Sequence, residues 1–384
     1  METSLKVLMI GSDRKLFEEG SAVVERIKGY GALVEELHII VFALKSLGFT
    51  DKRIAPNVWI YPTNSFSRWL YIYDAASLGK KIVLEKKFVR GGSLITAQDP
   101  FESGWAACKV KKRWRLTLEV QLHTDPLSPY FSGFLNTLRR YMAGRVVRQA
   151  DSLRTVSKAL SQKIIATTGI DAGKVFILPI YVDRERIENA PVSFDMRSRF
   201  PWRFIMLAVS RLAPEKNISL ALQVLALVRN RFPDTGLVIV GSGSEENKLR
   251  ALVKKLNLEG AVAFVGWQND LASFYKTSNV FIQTSLFEGY GLALVEAGLS
   301  GLPIITTPVG IARELEHGKD AYIYPADNAE LFANGIVDLI ENNQKRENLR
   351  FNLKKTLESK LLSKEQYLNT LKENWEETAS KILN

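Results

Sequence analysis

Two glutamates open the question of chemistry. In FEGYGLALVEAG, residues 287–298, Glu288 lies in a glycine-flanked loop, and Glu296 follows eight residues later inside an otherwise apolar run. Burying an unpaired carboxylate costs on the order of several kcal/mol or forces its protonation, so both acids should face something polar. Leu292, Val295 and Leu299 recur at i, i+3 and i+7, the core stripe of a helix, and Glu296 sits off that stripe. Gly289 and Gly291 let the chain turn sharply before the helix and expose its first amides. Such a loop combines an anion seat with a carboxylate on either side. Phosphates suit the amides, while sugar and ribose hydroxyls suit the acids. The plainer alternative is a solvated helix edge, with Glu288 complementing the helix N-terminus.

Similar elements recur at other strand ends. In LAVSRLAPEKN, residues 207–217, Arg211 and Lys216 flank a turn at Pro214 between a strand and a helix. Two cations there form a diphosphate site, or else surface charges paired with Glu215. In VIVGSGSEENKL, residues 238–249, Gly241 and Gly243 end a strand and open a helix. A dinucleotide fingerprint needs a third glycine where Glu246 stands, so NAD is disfavoured and a tight turn explains the pair. His123, in VQLHTDPLSPYF, follows a strand and precedes a Pro-rich turn with Asp125. Of the other two histidines, His38 in LHIIVF reads as core and His317 in ELEHGKD as a surface loop. Asp99, in TAQDPFESG, either reaches the same crevice or caps the next helix.

The elements that must position these residues alternate. Lys6–Gly11, Leu37–Ala43, Val58–Pro62, Ser93–Gln98 and Leu116–Leu122 read as strands, with helices such as Ser21–Val34 and Tyr130–Arg148 between them. The pattern restarts near Arg203 with FIMLAVS, GLVIVGSG, AVAFVG, NVFIQTS and PIITTP, separated by helices such as Leu220–Arg231 and Glu246–Leu256. Nearly all-apolar strands joined by helices imply parallel sheets covered on both faces. The fold class is α/β: two Rossmann-like, doubly wound parallel-sheet domains facing an interdomain cleft, where open α/β sheets bind ligands. The charged, aperiodic stretch Asp183–Trp202 reads as the hinge. Residues 1–190 form the first domain, 191–365 the second, and 366–384 a final helix crossing back to the first.

The 384 residues are 46% hydrophobic and 24% charged, a globular composition long enough for two cores. A single cysteine, Cys108, forbids an internal disulfide and fits a reducing cytoplasm. The first fifteen residues hold an apolar run of only about six, too short for a secretory leader, and no segment reaches the roughly 18 apolar residues of a membrane span. The net charge of +11 is uneven: residues 1–195 carry 29 Lys and Arg against 20 Asp and Glu, the remainder 23 against 21. Basic clusters at Lys80–Arg90, Lys109–Arg115 and Arg139–Arg148, near Trp69, Tyr71, Trp105 and Trp114, suit an anionic membrane surface or RNA. Solvated lysines around core tryptophans are the plainer reading.

VSRLAPEKN, VGSGSEENKL, FVGW and especially FEGYGLALVEAGLSGLPIITTPVG resemble the carboxyl-terminal domain of family 4 glycosyltransferases, which have the GT-B fold. Glu288-x7-Glu296 is that family's E-x7-E signature, and PVGIARELEHGKDAYIYPADNAELFANGI continues the likeness. The resemblance implies a retaining, metal-independent transferase that needs no cofactor and uses a nucleotide-diphosphate sugar as donor. It implies that Arg211 and Lys216 hold the diphosphate and that Glu288 meets the transferred sugar. Gly289, Tyr290, Gly291 and Leu292 would contact sugar and phosphate, and Glu296 the ribose. Gly241 and Gly243 would lie along the donor, and Gly266 and Trp267 by the base. His123 would face the donor sugar from the first domain. The family's Gly-Gly pair after the first strand is absent; IGSDRKLFEEGSA has single glycines, leaving Gly11 in that role. The implied acceptor is a sugar or lipid-linked hydroxyl, and the implied location is the cytoplasm, peripheral on the inner membrane face. Rival readings are a basic nucleic-acid-binding protein on a Rossmann-like scaffold and a GT-B nucleotide-sugar epimerase or phosphorylase.

Overall fold

The computed structural model describes residues 5–127 and 134–381. The chain forms two compact units: residues 1–179 with 363–384, and residues 180–362. The first contains an eight-stranded sheet built from β1 (Lys6–Gly11), β2 (Glu36–Val41), β3 (Lys52–Ala55), β4 (Val58–Pro62), β5 (Ser93–Ala97), β6 (Thr117–Leu122), β7 (Ser152–Thr155) and β8 (Val175–Ile177). Its order is β3-β4-β2-β1-β5-β6-β7-β8, and only the β3–β4 pair is antiparallel. The second contains β9 (Phe204–Val209), β10 (Thr235–Val240), β11 (Val262–Gly266), β12 (Val280–Gln283), β13 (Ile304–Thr306) and β14 (Tyr322–Ile323), in the order β11-β10-β9-β12-β13-β14, all parallel.

Both sheets reverse their winding once, between β1 and β5 in the first and between β9 and β12 in the second. At such a switch point the connections leave to opposite faces and open a crevice at the strands' carboxyl ends. β1, β5 and β6 are buried along almost their whole length, because helices cover both faces. The second core packs Leu220, Leu222, Val224 and Leu225 of the helix Ile218–Arg229 against Met206, Ala208, Leu237 and Ile239.

The strands read from the sequence sit within one or two residues of their expected places in the first half, while β12 and β13 are shorter than expected. β3, β7, β8 and β14 are additional, each only two to four residues long and lacking a distinctive pattern. The stretch Asp183–Trp202 is structured, with short helices at Arg184–Asn189 and Met196–Arg199. It packs on the helix Ala272–Thr277: Lys276 Nζ donates to the Glu188 and Ala190 carbonyls, Thr277 Oγ1 accepts from Met196 N at 3.0 Å, and the Phe194 and Phe274 rings meet edge to face. Its aperiodic sequence reflects contacts made with a distant segment. The units change at 179/180 and again at 362/363, so the last helix, Lys364–Ser380, is part of the first unit. Ser363 and Gln366 form a capping box at its start. No helix among the described residues is long and apolar enough to cross a membrane.

Trp375 of that last helix is fully buried and its indole N–H donates to Glu119 on β6 at 3.4 Å. Trp375→Ala is expected to cost the first unit about 3–5 kcal/mol, read as an earlier unfolding transition of the full chain in denaturant.

Candidate functional site

The second unit's switch point gathers the strongest sequence candidates. β9 ends at Val209 and is followed by Arg211 and a single 3-10 turn, Pro214–Lys216. β12 ends at Gln283 and is followed by Ser285 and Glu288. These neighbouring loops are tied together. Thr284 Oγ1 donates to the Asn217 carbonyl at 2.9 Å, and Leu286 N donates to the Glu215 carbonyl at 2.8 Å. Asn217 takes the left-handed φ of +48° that ends the turn and starts the helix Ile218–Arg229.

On this frame Lys216 Nζ meets Glu288 Oε2 at 2.7 Å, and Ser285 Oγ donates to Glu288 Oε1 at 2.8 Å. Both side chains of the ion pair are about one-seventh exposed (13% and 14%), so the charges are partly desolvated yet still open on one side. Each carboxylate oxygen keeps a lone pair for another donor. Arg211 differs: it is 71% exposed and, among the described residues, its ion pair is with Glu215, at 3.0 Å. An exposed pair of that kind is worth about 0–1 kcal/mol, so little is lost when it opens.

Gly291 has a φ of +97° at the start of the helix Leu292–Leu299 and brings no capping side chain to the first-turn amides. The loop before it is braced by Gly310. Ile311 N donates to the Tyr290 carbonyl at 2.7 Å, and a Cβ on Gly310 would fall 2.3 Å from that oxygen. Tyr290 is buried, and burial, with Glu314 adding, pushes its phenol up to about 12. Leu292 corrects the expected core stripe. It is 37% exposed, whereas Leu294, Val295, Ala297 and Leu299 are buried, because the first helical residue projects past the end of the packed face. Glu296 lies farther along, accepting from Tyr275 Oη at 3.1 Å. Burial raises its pKa above the usual carboxylate range, opposed by the Tyr275 hydrogen bond and the charge of Arg186.

Gly241 and Gly243 have a packing explanation. A Cβ at Gly241 would lie 1.9 Å from the Ser210 carbonyl and one at Gly243 2.3 Å from the Leu212 carbonyl, so the loop after β10 lies directly on the loop after β9. Gly266, at φ +68°, accepts from Gly241 N at 2.8 Å, and Trp267 beside it is 70% exposed.

Gly11 and His123 belong to the first unit. Gly11 ends β1, where a Cβ would strike the Gln98 side chain at 1.9 Å. His123 follows β6 and is exposed. Loss of surrounding water lowers its pKa to about 4, and the positive charges of Arg154 and Arg26 add to that; the direction favours a neutral imidazole. Asp99 accepts from Phe101 N at 2.8 Å in a turn before the helix Glu102–Trp114, which is a local role. His38 is a core residue: buried, bonded to Tyr61 and Glu36, and stacked on Trp59. Part of the expected helix Tyr130–Arg148 lies outside the described residues; Phe134–Gln149 is helical. Ser285, Thr284 and Gly310 were not singled out from the sequence, since a serine, a threonine and a glycine carry no signal until the loops are brought together.

Residues 197–356, a stretch within the second unit, match the model of the family described as glycosyl transferases group 1. Curated relatives include an uncharacterized glycosyltransferase of Haemophilus influenzae, 31% identical over 172 residues, covering 44% of this chain and 47% of that protein. Another is the UDP-Gal:alpha-D-GlcNAc-diphosphoundecaprenol alpha-1,3-galactosyltransferase of Escherichia coli, 29% identical over 181 residues, covering 45% and 47%. The chain thus spans about half the length of these relatives. Among solved structures, Anabaena Alr3699/HepE in complex with UDP and glucose superposes with a TM-score of 0.75 at 20% identity, covering 96% of this chain and 99% of that one. Sucrose-phosphate synthase from Thermosynechococcus elongatus gives 0.75 at 17%, covering 97% and 98%. At these identities the likeness is one of fold, and the fold is GT-B.

The raised pKa of Glu296 has a testable sign. The native state holds its proton more tightly than the unfolded chain, so the stability it contributes is present below the unfolded carboxylate pKa and lost as pH rises through the raised native value. Glu296→Gln is expected to melt higher than wild type at pH 7 and to flatten the decline above about pH 4.5, measured by thermal unfolding across pH 4–8.

Proposed function

We propose that the protein is a retaining, metal-independent glycosyltransferase that moves a sugar from a nucleotide-diphosphate donor, a UDP-sugar, to a hydroxyl of a glycan or lipid-linked acceptor. The observation that carries this reading is the Lys216–Glu288–Ser285 cluster beside an uncapped helix N-terminus at the second unit's switch point. The family match and relatives named as transferases, one of them from UDP-Gal, support it.

In this reading the acceptor oxygen attacks the anomeric carbon, the bond from that carbon to the diphosphate oxygen breaks, and the acceptor proton passes to the departing diphosphate. Negative charge grows on the leaving group. Lys216, Arg211 and the amides of the first helical turn stabilise it, each contact worth on the order of 3 kcal/mol, or two to three decades in rate. Glu288, held at both oxygens, accepts from hydroxyls of the transferred sugar, and Glu296 accepts from the ribose. Neutral His123 offers a hydrogen bond to the donor sugar without adding charge. Metal independence rests on the absence of an Asp-x-Asp pair from the sequence.

Glu288→Ala is expected to lower transfer by two to three decades while UDP still binds; a nucleotide-release assay with a panel of sugar donors measures it. UDP is expected to raise the melting temperature, by about 2.7 kcal/mol of stabilisation at a hundredfold excess over its Kd, with GDP, ADP and NAD doing less. Stabilisation by NAD alone, or RNA binding that falls steeply with salt, would overturn the reading.

A specific surface favours attachment to the inner face of a membrane. Phe66, Trp69 and Tyr73 are 81%, 79% and 66% exposed on the segment that leads from β4 into the helix Tyr71–Glu85. Arg68 is exposed among them, and Lys45 sits 4.8 Å from the Phe66 ring centroid. Aromatics interleaved with cations suit anionic lipid, each surface cation adding about 1 kcal/mol. The chain is expected to co-sediment with phosphatidylglycerol vesicles at low salt but not with phosphatidylcholine. A Phe66→Ser, Trp69→Ser double variant should lose this, whereas Phe351→Ser in the second unit should not.

A further inference from the structure

One hydroxyl in the second unit has no part in the chemistry proposed above. Tyr275 is 2% exposed, and its Oη donates to Glu296 Oε2 at 3.1 Å. Burial and the neighbouring carboxylate push the phenol well above its ordinary range, so it stays a donor at neutral pH.

Tyr275 is held in place from several directions. It belongs to the short helix Ala272–Thr277, whose other side chains are tied to the stretch Asp183–Trp202. Ser273 Oγ accepts from Ser193 N at 2.8 Å, Lys276 Nζ donates to the carbonyls of Glu188 and Ala190, and Thr277 Oγ1 accepts from Met196 N at 3.0 Å. Ser273 Oγ also donates to Asp270 at 2.6 Å, at the start of the helix. The Tyr275 ring meets Phe281 of β12 edge to face, with centroids 6.1 Å apart, and Phe281 is itself 1% exposed. A ring packed in this way has no room to swing its hydroxyl elsewhere.

Glu296 is partly buried and is anchored at one oxygen. Oε2 takes the tyrosine proton, while Oε1 has no hydrogen bond among the described residues. A glutamate turns about several bonds, and ordering it only when a ligand arrives takes free energy away from binding. A carboxylate fixed beforehand avoids that loss, and it penalises a ligand that brings no donor to its free oxygen. The other glutamate is held by the same kind of contact, with Ser285 on Oε1 and Lys216 on Oε2 of Glu288.

We propose that Tyr275 is a positioning residue that makes the site prefer a ribonucleotide: its hydroxyl fixes the Glu296 carboxylate so that Oε1 accepts from a hydroxyl of the donor's ribose. This rests on the reading of Glu296 as the ribose acceptor. The stretch Asp183–Trp202 takes part indirectly, because it clamps the helix that carries Tyr275.

The test is binding calorimetry on the full chain, comparing UDP, GDP and ADP each with its 2′,3′-dideoxy counterpart. Wild type is expected to bind the tightest of the three about tenfold or more tighter than its dideoxy form. Tyr275→Phe keeps the ring and its packing on Phe281. It should weaken the ribonucleotide about five- to tenfold and leave the dideoxy form unchanged within about twofold, so that most of the preference is lost. A role in packing alone would weaken both nucleotides alike. Should Tyr275→Phe fail to fold because Glu296 is left without its donor, Glu296→Gln and the double variant Tyr275→Phe, Glu296→Gln decide, and these two are expected to share one reduced preference. A preference that survives in Tyr275→Phe, or one that falls further when Tyr275→Phe is added to Glu296→Gln, overturns the role of Tyr275 and leaves the ribose reading of Glu296 standing. A wild type that binds none of the nucleotides or binds each pair alike, or a Glu296→Gln variant with the full wild-type preference, removes that reading and the proposal with it.

Discussion

The ion pair between Lys216 and Glu288 is the contact on which the second unit's site depends. It joins the loops that follow β9 and β12, the strands on either side of the switch point. Partly desolvated charges attract more strongly than surface ones, but the pair is favourable only where the remaining hydrogen-bonding capacity is also met. Ser285 meets some of it, and the free lone pairs of the carboxylate stay turned to whatever enters the crevice. The same contact that fixes the loop geometry therefore presents an acceptor and a cation side by side.

Around that pair, backbone carries much of the shape. Gly310 lies against the Tyr290 carbonyl, Gly241 against Ser210 and Gly243 against Leu212, so four loops stack in two pairs with no side chain between the touching backbones. A larger residue at any of these glycines pushes a loop away from its neighbour. Gly291 instead supplies a left-handed turn and leaves the helix start uncapped. Glycines that look alike in the sequence thus serve two purposes, close packing and a left-handed turn into a helix, and only the surroundings separate them.

The fold was legible because its signal is repeated: apolar strands, each followed by an amphipathic stretch, written twice along the chain. The short strands β3, β7, β8 and β14 escaped because a few residues carry no period. Asp183–Trp202 looked like a linker because its order comes from Phe274, Lys276 and Thr277, some eighty positions away. Among the candidate site residues, Glu288, Glu296 and Lys216 stood out in the sequence because charges set beside apolar strands and helices are conspicuous. Leu292 was misassigned because periodicity does not reveal where a packed face ends. The buried hydrogen bonds that join Thr96, Glu119, Gln121 and Arg154 to Asn374 and Trp375 were invisible because these residues come from three strands and the last helix, and each strand member alone reads as an ordinary polar residue.

The last helix leaves the first unit's β6 waiting for a late arrival. Glu119 is buried beneath Asn374 and Trp375, which emerge from synthesis only after all of residues 180–362. The second unit, begun later, can close its own core first, while the opening unit holds a carboxylate that has yet to meet its donors. The half of the molecule made first is therefore the half completed last, and a chain cut short before residue 363 would end with one finished body and one that lacks its cover.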